Sequence, residues 1–183
     1  CDTSHARTGG EQRSLGSLLD QVRALGLRRV LVTGGEPLAQ AASVELMAAL
    51  LEADREVVLE TSGALDLRPV PSGVRRVVDV KTPSSGEQSR ARLDDLALLG
   101  PGDEVKFVVS DRVDFDYSLE VISSRRLEGR VGLLLSPLHG VLAARSLARW
   151  ILGSGVDARL NLQLHKLAFG EQGDTGLDPD ATP

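Results

Sequence analysis

Short runs of β-branched and other apolar residues alternate along this chain with longer amphipathic stretches. Such alternation predicts βα units, in which parallel strands form a central sheet that helices cover. Runs that are apolar almost throughout are typical of strands buried on both faces. They predict six strands, at residues 29–32, 57–60, 76–81, 104–109, 131–135 and 159–164. The fold class is therefore predicted to be α/β with a parallel sheet.

The first helix has clear signals at both ends. Ser14 can cap its amino terminus, and Gly26 follows its last apolar residue in the position that favours a left-handed backbone. Further helices are predicted at residues 38–53 and 138–152, and ones with narrower apolar faces at 90–99 and 117–126. Met47 and Trp150 are interpreted as core residues of such helices.

Size and charge limit the classes of function. The 183 residues, 42% of them hydrophobic, are enough for one compact domain. Asp and Glu number 26 against 21 Lys and Arg, with no dense basic run, which argues against a nucleic-acid partner. A single cysteine excludes an internal disulfide and fits the cytoplasm. No apolar run approaches the roughly 18 residues needed to cross a membrane.

A glycine pair separates the first strand from the next helix. Thr33, Gly34, Gly35, Glu36 and Pro37 place a bare backbone and one carboxylate at the end of this strand. The glycines allow close approach of a ligand, and Pro37 suits the first position of a helix. This segment predicts a site for a cationic small molecule, although an ordinary turn would use the same residues.

Polar side chains also follow the other predicted strands. They are Glu60 with Thr61 and Ser62, Asp79 with Lys81, Ser136, and Gln163 with His165. Because the carboxyl ends of parallel strands meet at one edge of a sheet, we expect these groups to converge on one ligand site. Polar loops at strand ends, and a purely structural pairing of Asp79 with Lys81, are the alternatives. Lys106, early in its strand, is interpreted as an ion-pair partner.

Five motifs, taken in order and with their spacing, resemble one family. They are Cys-Asp-Thr at 1–3, Thr-Gly-Gly-Glu-Pro-Leu at 33–38, Leu-Glu-Thr-Ser-Gly at 59–63, Asp-Val-Lys-Thr-Pro-Ser-Ser-Gly at 79–86, and Leu-Gln-Leu-His-Lys at 162–166. The family is the 7-carboxy-7-deazaguanine synthases, radical S-adenosylmethionine enzymes of 7-deazapurine and queuosine biosynthesis. The resemblance extends to about residue 169 and implies an incomplete (βα) TIM-like barrel.

The same resemblance implies a set of cofactors and the residues that hold them. Three cysteines of the family bind a 4Fe–4S cluster, and soft thiolates suit that role. Cys1 matches the third of these cysteines, and Thr3 matches the hydroxyl ligand of Mg²⁺, a hard cation that prefers oxygen. The positions that match S-adenosylmethionine contacts are Cys1, Asp2, Gly34, Gly35, Glu36, Glu60, Asp79, Lys81 and, more weakly, Ser136. Thr33, Gln163 and His165 match substrate contacts.

The resemblance implies that 6-carboxy-5,6,7,8-tetrahydropterin is converted to 7-carboxy-7-deazaguanine with loss of ammonia. It also implies an electron donor such as a flavodoxin and a homodimer. A lone thiolate cannot hold a four-iron cluster. We therefore expect the barrel's first strand and two further cysteines upstream of Cys1, and expect the chain as printed to be inactive. Residues 1–169 are predicted to form the partial core, and residues 170–183 a flexible tail.

Two other functions remain open at this point. An activase that installs a glycyl radical on a partner protein would share the Gly-Gly-Glu-Pro turn and the Asp-x-Lys pattern, although the ending at 162–166 favours a small-molecule substrate. A non-catalytic α/β ligand-binding domain would need neither the cluster nor the radical chemistry.

Overall fold

The computed structural model of the chain describes residues 10–164. Several predictions therefore lie outside the described residues: the roles of Cys1, Asp2, Thr3 and His165, and the tail at 170–183. Within the described part, no helix is both long enough and apolar enough to cross a bilayer.

Six parallel strands form one sheet in the order in which they occur along the chain. The strands are β1 (Arg29–Val32), β2 (Glu56–Thr61), β3 (Arg75–Val80), β4 (Glu104–Val109), β5 (Gly132–Pro137) and β6 (Arg159–Leu160). The α-helices are α1 (Leu15–Leu25), α2 (Ala42–Glu52), α3 (Arg112–Ser124) and α4 (Ala144–Ser154). The predicted α/β class with a parallel sheet is confirmed, and all carboxyl ends of the strands lie at one edge.

Both predicted ends of α1 are confirmed. The Ser14 hydroxyl accepts a hydrogen bond from the backbone N–H of Ser17 at 3.2 Å. Gly26 adopts the left-handed conformation, with φ of 65°, and its N–H donates to the carbonyl of Arg23. The local signals alone therefore define this helix.

The prediction of helix at 90–99 is wrong. Two short 3₁₀ helices, Gln88–Arg90 and Leu93–Leu98, lie there instead. Ala91, between them, is extended, and the Arg92 N–H donates to the Gly63 carbonyl rather than continuing a helix. A tertiary hydrogen bond thus overrides a weak helical pattern.

Four other elements differ in their limits. The stretch predicted as one helix at 38–53 is a 3₁₀ helix, Pro37–Ala39, followed by α2, because Gln40 is extended between them. The helix predicted at 138–152 begins only at Ala144. The helix predicted at 117–126 begins earlier, because the Asp111 carboxylate caps α3 by accepting from the Asp114 N–H. The strand predicted at 159–164 pairs over Arg159–Leu160 alone, with one further hydrogen bond from Asn161 to Leu135.

The helix-covered face of the sheet carries the core. Val78, Val80, Val105, Phe107 and Leu135 are almost fully buried there. α3 and α4 contribute Phe115 and Leu147 to this cluster, and the Trp150 ring lies 5.6 Å from that of Phe115. A second cluster, under α2, contains Met47, which is fully buried. The core roles predicted for Met47 and Trp150 agree with this packing.

At the amino-terminal end of the strands, Glu104 forms ion pairs with Arg75 on β3 and Arg159 on β6. Its side chain lies over Gly132 of β5, where an added Cβ would stand 2.9 Å from the Glu104 Cγ. Glycine at 132 therefore allows the Glu104 side chain to cross β5 and form its ion pair with Arg159, which holds the very short β6 against the sheet.

We expect Gly132→Ala to lower the free energy of unfolding by about 1–3 kcal/mol, because the new methyl group displaces Glu104. Urea denaturation measures the change. Gly153→Ala is the control, since an added Cβ there meets nothing within 4 Å. Equal stability of Gly132→Ala and wild type would show that the Glu104 side chain can cross β5 and reach Arg159 without a glycine at position 132.

Candidate active site

The face of the sheet opposite the core carries charged and polar side chains toward the carboxyl ends of the strands. Because side chains alternate along a strand, residues that flank the core positions point to this open face. We refer to the following set, which lies on this face and at the adjoining carboxyl edge of the sheet, as the polar cluster: Glu36, Glu60, Asp79, Lys81, Lys106, Ser136 and Asn161. Its members come from β2 to β5, from the turn after β1, and from the segments that follow β3 and β6.

Glu36 joins the turn after β1 to the end of β2. Its Oε1 accepts from the Thr61 hydroxyl at 2.7 Å and from the Leu38 N–H at 3.1 Å. Its Oε2 accepts from the N–H and hydroxyl of Ser62, at 2.8 and 2.5 Å. This carboxylate therefore fixes the position of the turn against the neighbouring strand while keeping its negative charge at the edge of the sheet.

The preceding residues of the turn, Thr33, Gly34 and Gly35, are exposed. Gly34 has φ of 139°, which side chains rarely adopt, and an added Cβ would meet nothing within 4 Å. The glycine is thus required by the backbone path and leaves its backbone accessible to a ligand.

Asp79 and Lys81 form an ion pair, with Oδ2 and Nζ 2.7 Å apart. The structural pairing considered from the sequence is therefore present. It uses only one carboxylate oxygen, however, since Oδ1 of Asp79 is buried and accepts no hydrogen bond in the described part of the protein. A buried acceptor without a donor costs about 1–3 kcal/mol, so this oxygen fits a ligand that donates a hydrogen bond.

Lys106 and Glu60 form a second ion pair, with Nζ 2.8 Å from Oε1. The interpretation of Lys106 as an ion-pair partner is confirmed. The side chain of Lys106 is only 17% exposed and that of Glu60 31% exposed. Asp79 is the register partner of Lys106, so the two pairs lie next to each other.

Asn161 is a member of the cluster that sequence reasoning missed. Its side-chain amide donates to the Ser136 hydroxyl at 2.9 Å. Ser136 itself is buried and lies in register with Val108, two residues beyond Lys106. The alternation of Arg159, Asn161 and Gln163 along a predicted strand was the signal that could have found it. Gln163 is partly buried two residues further along.

Asp114 holds the loop that follows the Asp79–Lys81 pair. Its Oδ1 accepts from the Ser84 N–H at 3.0 Å, and its Oδ2 from the N–H and hydroxyl of Ser110 at 2.9 and 2.8 Å. Burial by itself raises the pKa of this carboxyl, but the hydrogen bonds from Ser84 and Ser110 outweigh it and lower the pKa below its usual value. The fully buried Asp114 therefore fixes the loops after β3 and β4 to each other.

The charge pattern determines which ligands the cluster suits. Carboxylates at Glu36, Glu60 and Asp79 favour ammonium, hydroxyl and amide donors, whereas Lys81 favours a carboxylate. A zwitterionic small molecule matches both kinds of group. From residue 10 to residue 164, no group of three or more His, Cys, Asp or Glu side chains is arranged to hold a metal ion.

Comparison with known proteins gives the family context. No protein-family model matches the sequence. The chain is 37% identical to the 7-carboxy-7-deazaguanine synthase of Koribacter versatilis over 186 residues, covering 92% of this chain and 81% of that protein. It is 36% identical to the enzyme of the same name from Chlorobaculum tepidum, covering 91% of this chain and 77% of that protein.

A solved structure has the same fold. The chain superposes on the crystal structure of QueE from Escherichia coli with a TM-score of 0.61 and 22% sequence identity. The superposition covers 82% of this chain and 64% of that one. The expected incomplete (βα) barrel is confirmed by this likeness together with the open parallel sheet.

Proposed function

This chain belongs to the 7-carboxy-7-deazaguanine synthase family, and we propose that its polar cluster binds S-adenosylmethionine beside the substrate of that enzyme. The family consists of radical S-adenosylmethionine lyases of queuosine biosynthesis. The reaction we propose converts 6-carboxy-5,6,7,8-tetrahydropterin to 7-carboxy-7-deazaguanine with loss of ammonia. Membership of this family argues against the glycyl-radical activase and the non-catalytic domain.

The single observation that carries the proposal is Oδ1 of Asp79, which accepts no hydrogen bond from any residue between 10 and 164. This oxygen is buried at the carboxyl edge of the sheet, while the other oxygen of the same carboxylate is held by Lys81. A ligand hydroxyl or amino group that donates to Oδ1 would remove the cost of burying it. S-adenosylmethionine carries donors of both kinds.

Each member of the cluster has a proposed task. Gly34, Gly35 and Glu36 bind the amino group of S-adenosylmethionine through exposed backbone and a fixed carboxylate. Glu60, Asp79, Lys81 and Ser136 make further contacts with it, as do Cys1 and Asp2. Thr33, Gln163 and His165 contact the substrate. Cys1 supplies one thiolate to a 4Fe–4S cluster, and the Thr3 hydroxyl binds Mg²⁺.

S-adenosylmethionine held by these residues beside a reduced cluster would supply radical chemistry that removes a hydrogen atom from the substrate. The described residues would orient this chemistry by fixing the ligands at the edge of the sheet. Mg²⁺ would neutralise the substrate carboxylate. We further propose an electron donor such as a flavodoxin, a homodimer and a cytoplasmic location.

The test is anaerobic turnover by the full-length protein after reconstitution with iron and sulfide. We expect 7-carboxy-7-deazaguanine to form only when the carboxytetrahydropterin, S-adenosylmethionine and a reductant are all present, as followed by liquid chromatography with mass spectrometry. Turnover without S-adenosylmethionine, or none with all components present, would contradict the proposal.

We expect Lys81→Ala to raise the KM for S-adenosylmethionine about tenfold, because one charged contact to the ligand is lost and Asp79 loses its counter-ion. Arg90→Ala is the matched control: its ion pair with Glu87 is exposed and lies outside the cluster, so its kinetics should match wild type. An unchanged KM in Lys81→Ala would remove Lys81 from the site.

A further inference from the structure

We propose that Lys106 is a positioning residue for this site: from β4, it reaches across β3 and holds the Glu60 carboxylate of β2 in place for the cofactor. The inference rests on the proposed function, in which Glu60 contacts S-adenosylmethionine. Lys106 itself is not proposed to touch the ligand.

The register of the sheet shows how far the side chains must reach. Glu60 pairs with Val77 of β3, and Lys106 pairs with Asp79 of the same strand. Glu60 and Lys106 therefore stand on strands separated by a third and are offset by two residues along it, at a backbone distance of roughly 12 Å. The 2.8 Å contact between Nζ and Oε1 requires both side chains to extend toward each other above β3. Such a geometry leaves the Glu60 carboxylate little freedom to turn elsewhere.

The charges around Glu60 give the second argument. Glu60 and Asp79 lie diagonally on one face of neighbouring strands, a spacing at which like charges repel. Lys106 and Lys81 supply two positive charges to the same region. Without Lys106, repulsion from Asp79 would favour rotation of Glu60 toward solvent, and the carboxylate would no longer be fixed where the ligand needs it.

Stability alone does not account for this pair. Partly buried ion pairs contribute little net free energy, because removing two charges from water offsets their attraction. Apolar residues at both 60 and 106 would pack on the same sheet at similar or better stability. A lysine that spans a strand to reach the Glu60 carboxylate is instead suited to fixing the direction of that carboxylate.

The experiment uses the reconstituted full-length protein and S-adenosylhomocysteine, an unreactive analogue, as the probe in titration calorimetry. Lys106→Met removes the charge and keeps an unbranched apolar side chain, whereas Lys106→Arg keeps the charge and the reach. Arg75→Met is the matched control, because Arg75 forms an ion pair on the same face but at the far end of the strands. Melting temperatures are recorded for every variant.

We expect Lys106→Met to raise the Kd for S-adenosylhomocysteine and the KM for S-adenosylmethionine about tenfold, with a smaller change in kcat. Lys106→Arg should recover most of the affinity, and Arg75→Met should bind as wild type does. In a protein that already carries Glu60→Gln, Lys106→Met should cause little further increase in the Kd, because the side chain that Lys106 positions has lost its charge.

A wild-type Kd in Lys106→Met, with or without a lower melting temperature, would overturn the inference. So would a further tenfold loss of affinity when Lys106→Met is added to Glu60→Gln. Those results leave the proposed function intact, since wild type still binds the probe. If wild type itself binds no S-adenosylhomocysteine, the proposed function is contradicted, and so is the role of Lys106 that depends on it.

Discussion

Replacing Asp114 with alanine is expected to lower the free energy of unfolding by about 3–5 kcal/mol. The carboxylate is fully buried and accepts hydrogen bonds from Ser84 and Ser110. Alanine would remove the acceptor of both serine N–H groups and of the Ser110 hydroxyl, and a hydrogen bond to a charged group contributes about 1.5–3 kcal/mol. It would also release the loop after β3, which carries Lys81 at its start.

Urea denaturation followed by circular dichroism measures this change. Asp116→Ala is the control on the same helix: its ion pair with Arg112 is exposed, so the expected change is within about 0.5 kcal/mol of zero. Equal stability losses for the two variants would show that the hydrogen bonds to Asp114 are not what holds these loops.

The pH dependence of stability follows from the same carboxylate. The pKa of Asp114 is lower in the folded protein than its usual value, so its charged form stabilises the fold at any pH above the unfolded pKa, about 4. This contribution is lost as the pH falls through the folded pKa. In the acid range, wild type should therefore lose stability more steeply than Asp114→Ala does.

The six strands and their parallel arrangement could be predicted because each strand is a short apolar run separated from the next by a polar or helical segment. The core face of these strands is buried and carries the apolar signal, and parallel connections leave few alternative topologies. The helix α1 could be predicted to the residue, since Ser14 and Gly26 act locally. Convergence of polar residues at one edge follows from the parallel arrangement itself.

Contacts that depend on tertiary distance could not be predicted. Lys106 was interpreted as an ion-pair partner, but its partner Glu60 lies 46 residues away and beyond an intervening strand. Asp114 lies ahead of the helix predicted at 117–126, and only the folded loops supply its donors. The prediction of a helix at 90–99 was wrong for the same reason, because a hydrogen bond from the Arg92 N–H to the Gly63 carbonyl diverts the backbone.

The turn after β1 illustrates how local and tertiary information combine. The sequence placed a carboxylate beside two glycines and suggested a cationic ligand. The structure adds that Thr61 and Ser62 already hold this carboxylate in position. A fixed anion at an exposed turn costs little further ordering when a ligand binds, so pre-organisation increases its value as a binding group.

Replacing Glu36 is accordingly expected to have the largest effect on activity. Glu36→Ala should reduce the rate of 7-carboxy-7-deazaguanine formation by about 100-fold or more, because it removes both the proposed ligand charge and the anchor of the turn. Anaerobic turnover at saturating substrate, with the KM for S-adenosylmethionine measured in parallel, gives the result. Glu45→Ala, an exposed carboxylate on α2, is the control and should retain full activity.

Glu36→Gln separates the two roles of the side chain. Glutamine keeps the length and one acceptor oxygen, so Thr61 or Ser62 can still donate to it and the melting temperature should stay within a few degrees of wild type. Affinity for S-adenosylmethionine should nevertheless fall about tenfold or more, since a neutral amide attracts an ammonium group far less than a carboxylate does. A Glu36→Gln protein with wild-type affinity would assign Glu36 to the folding of the turn and leave the binding of the amino group to other residues.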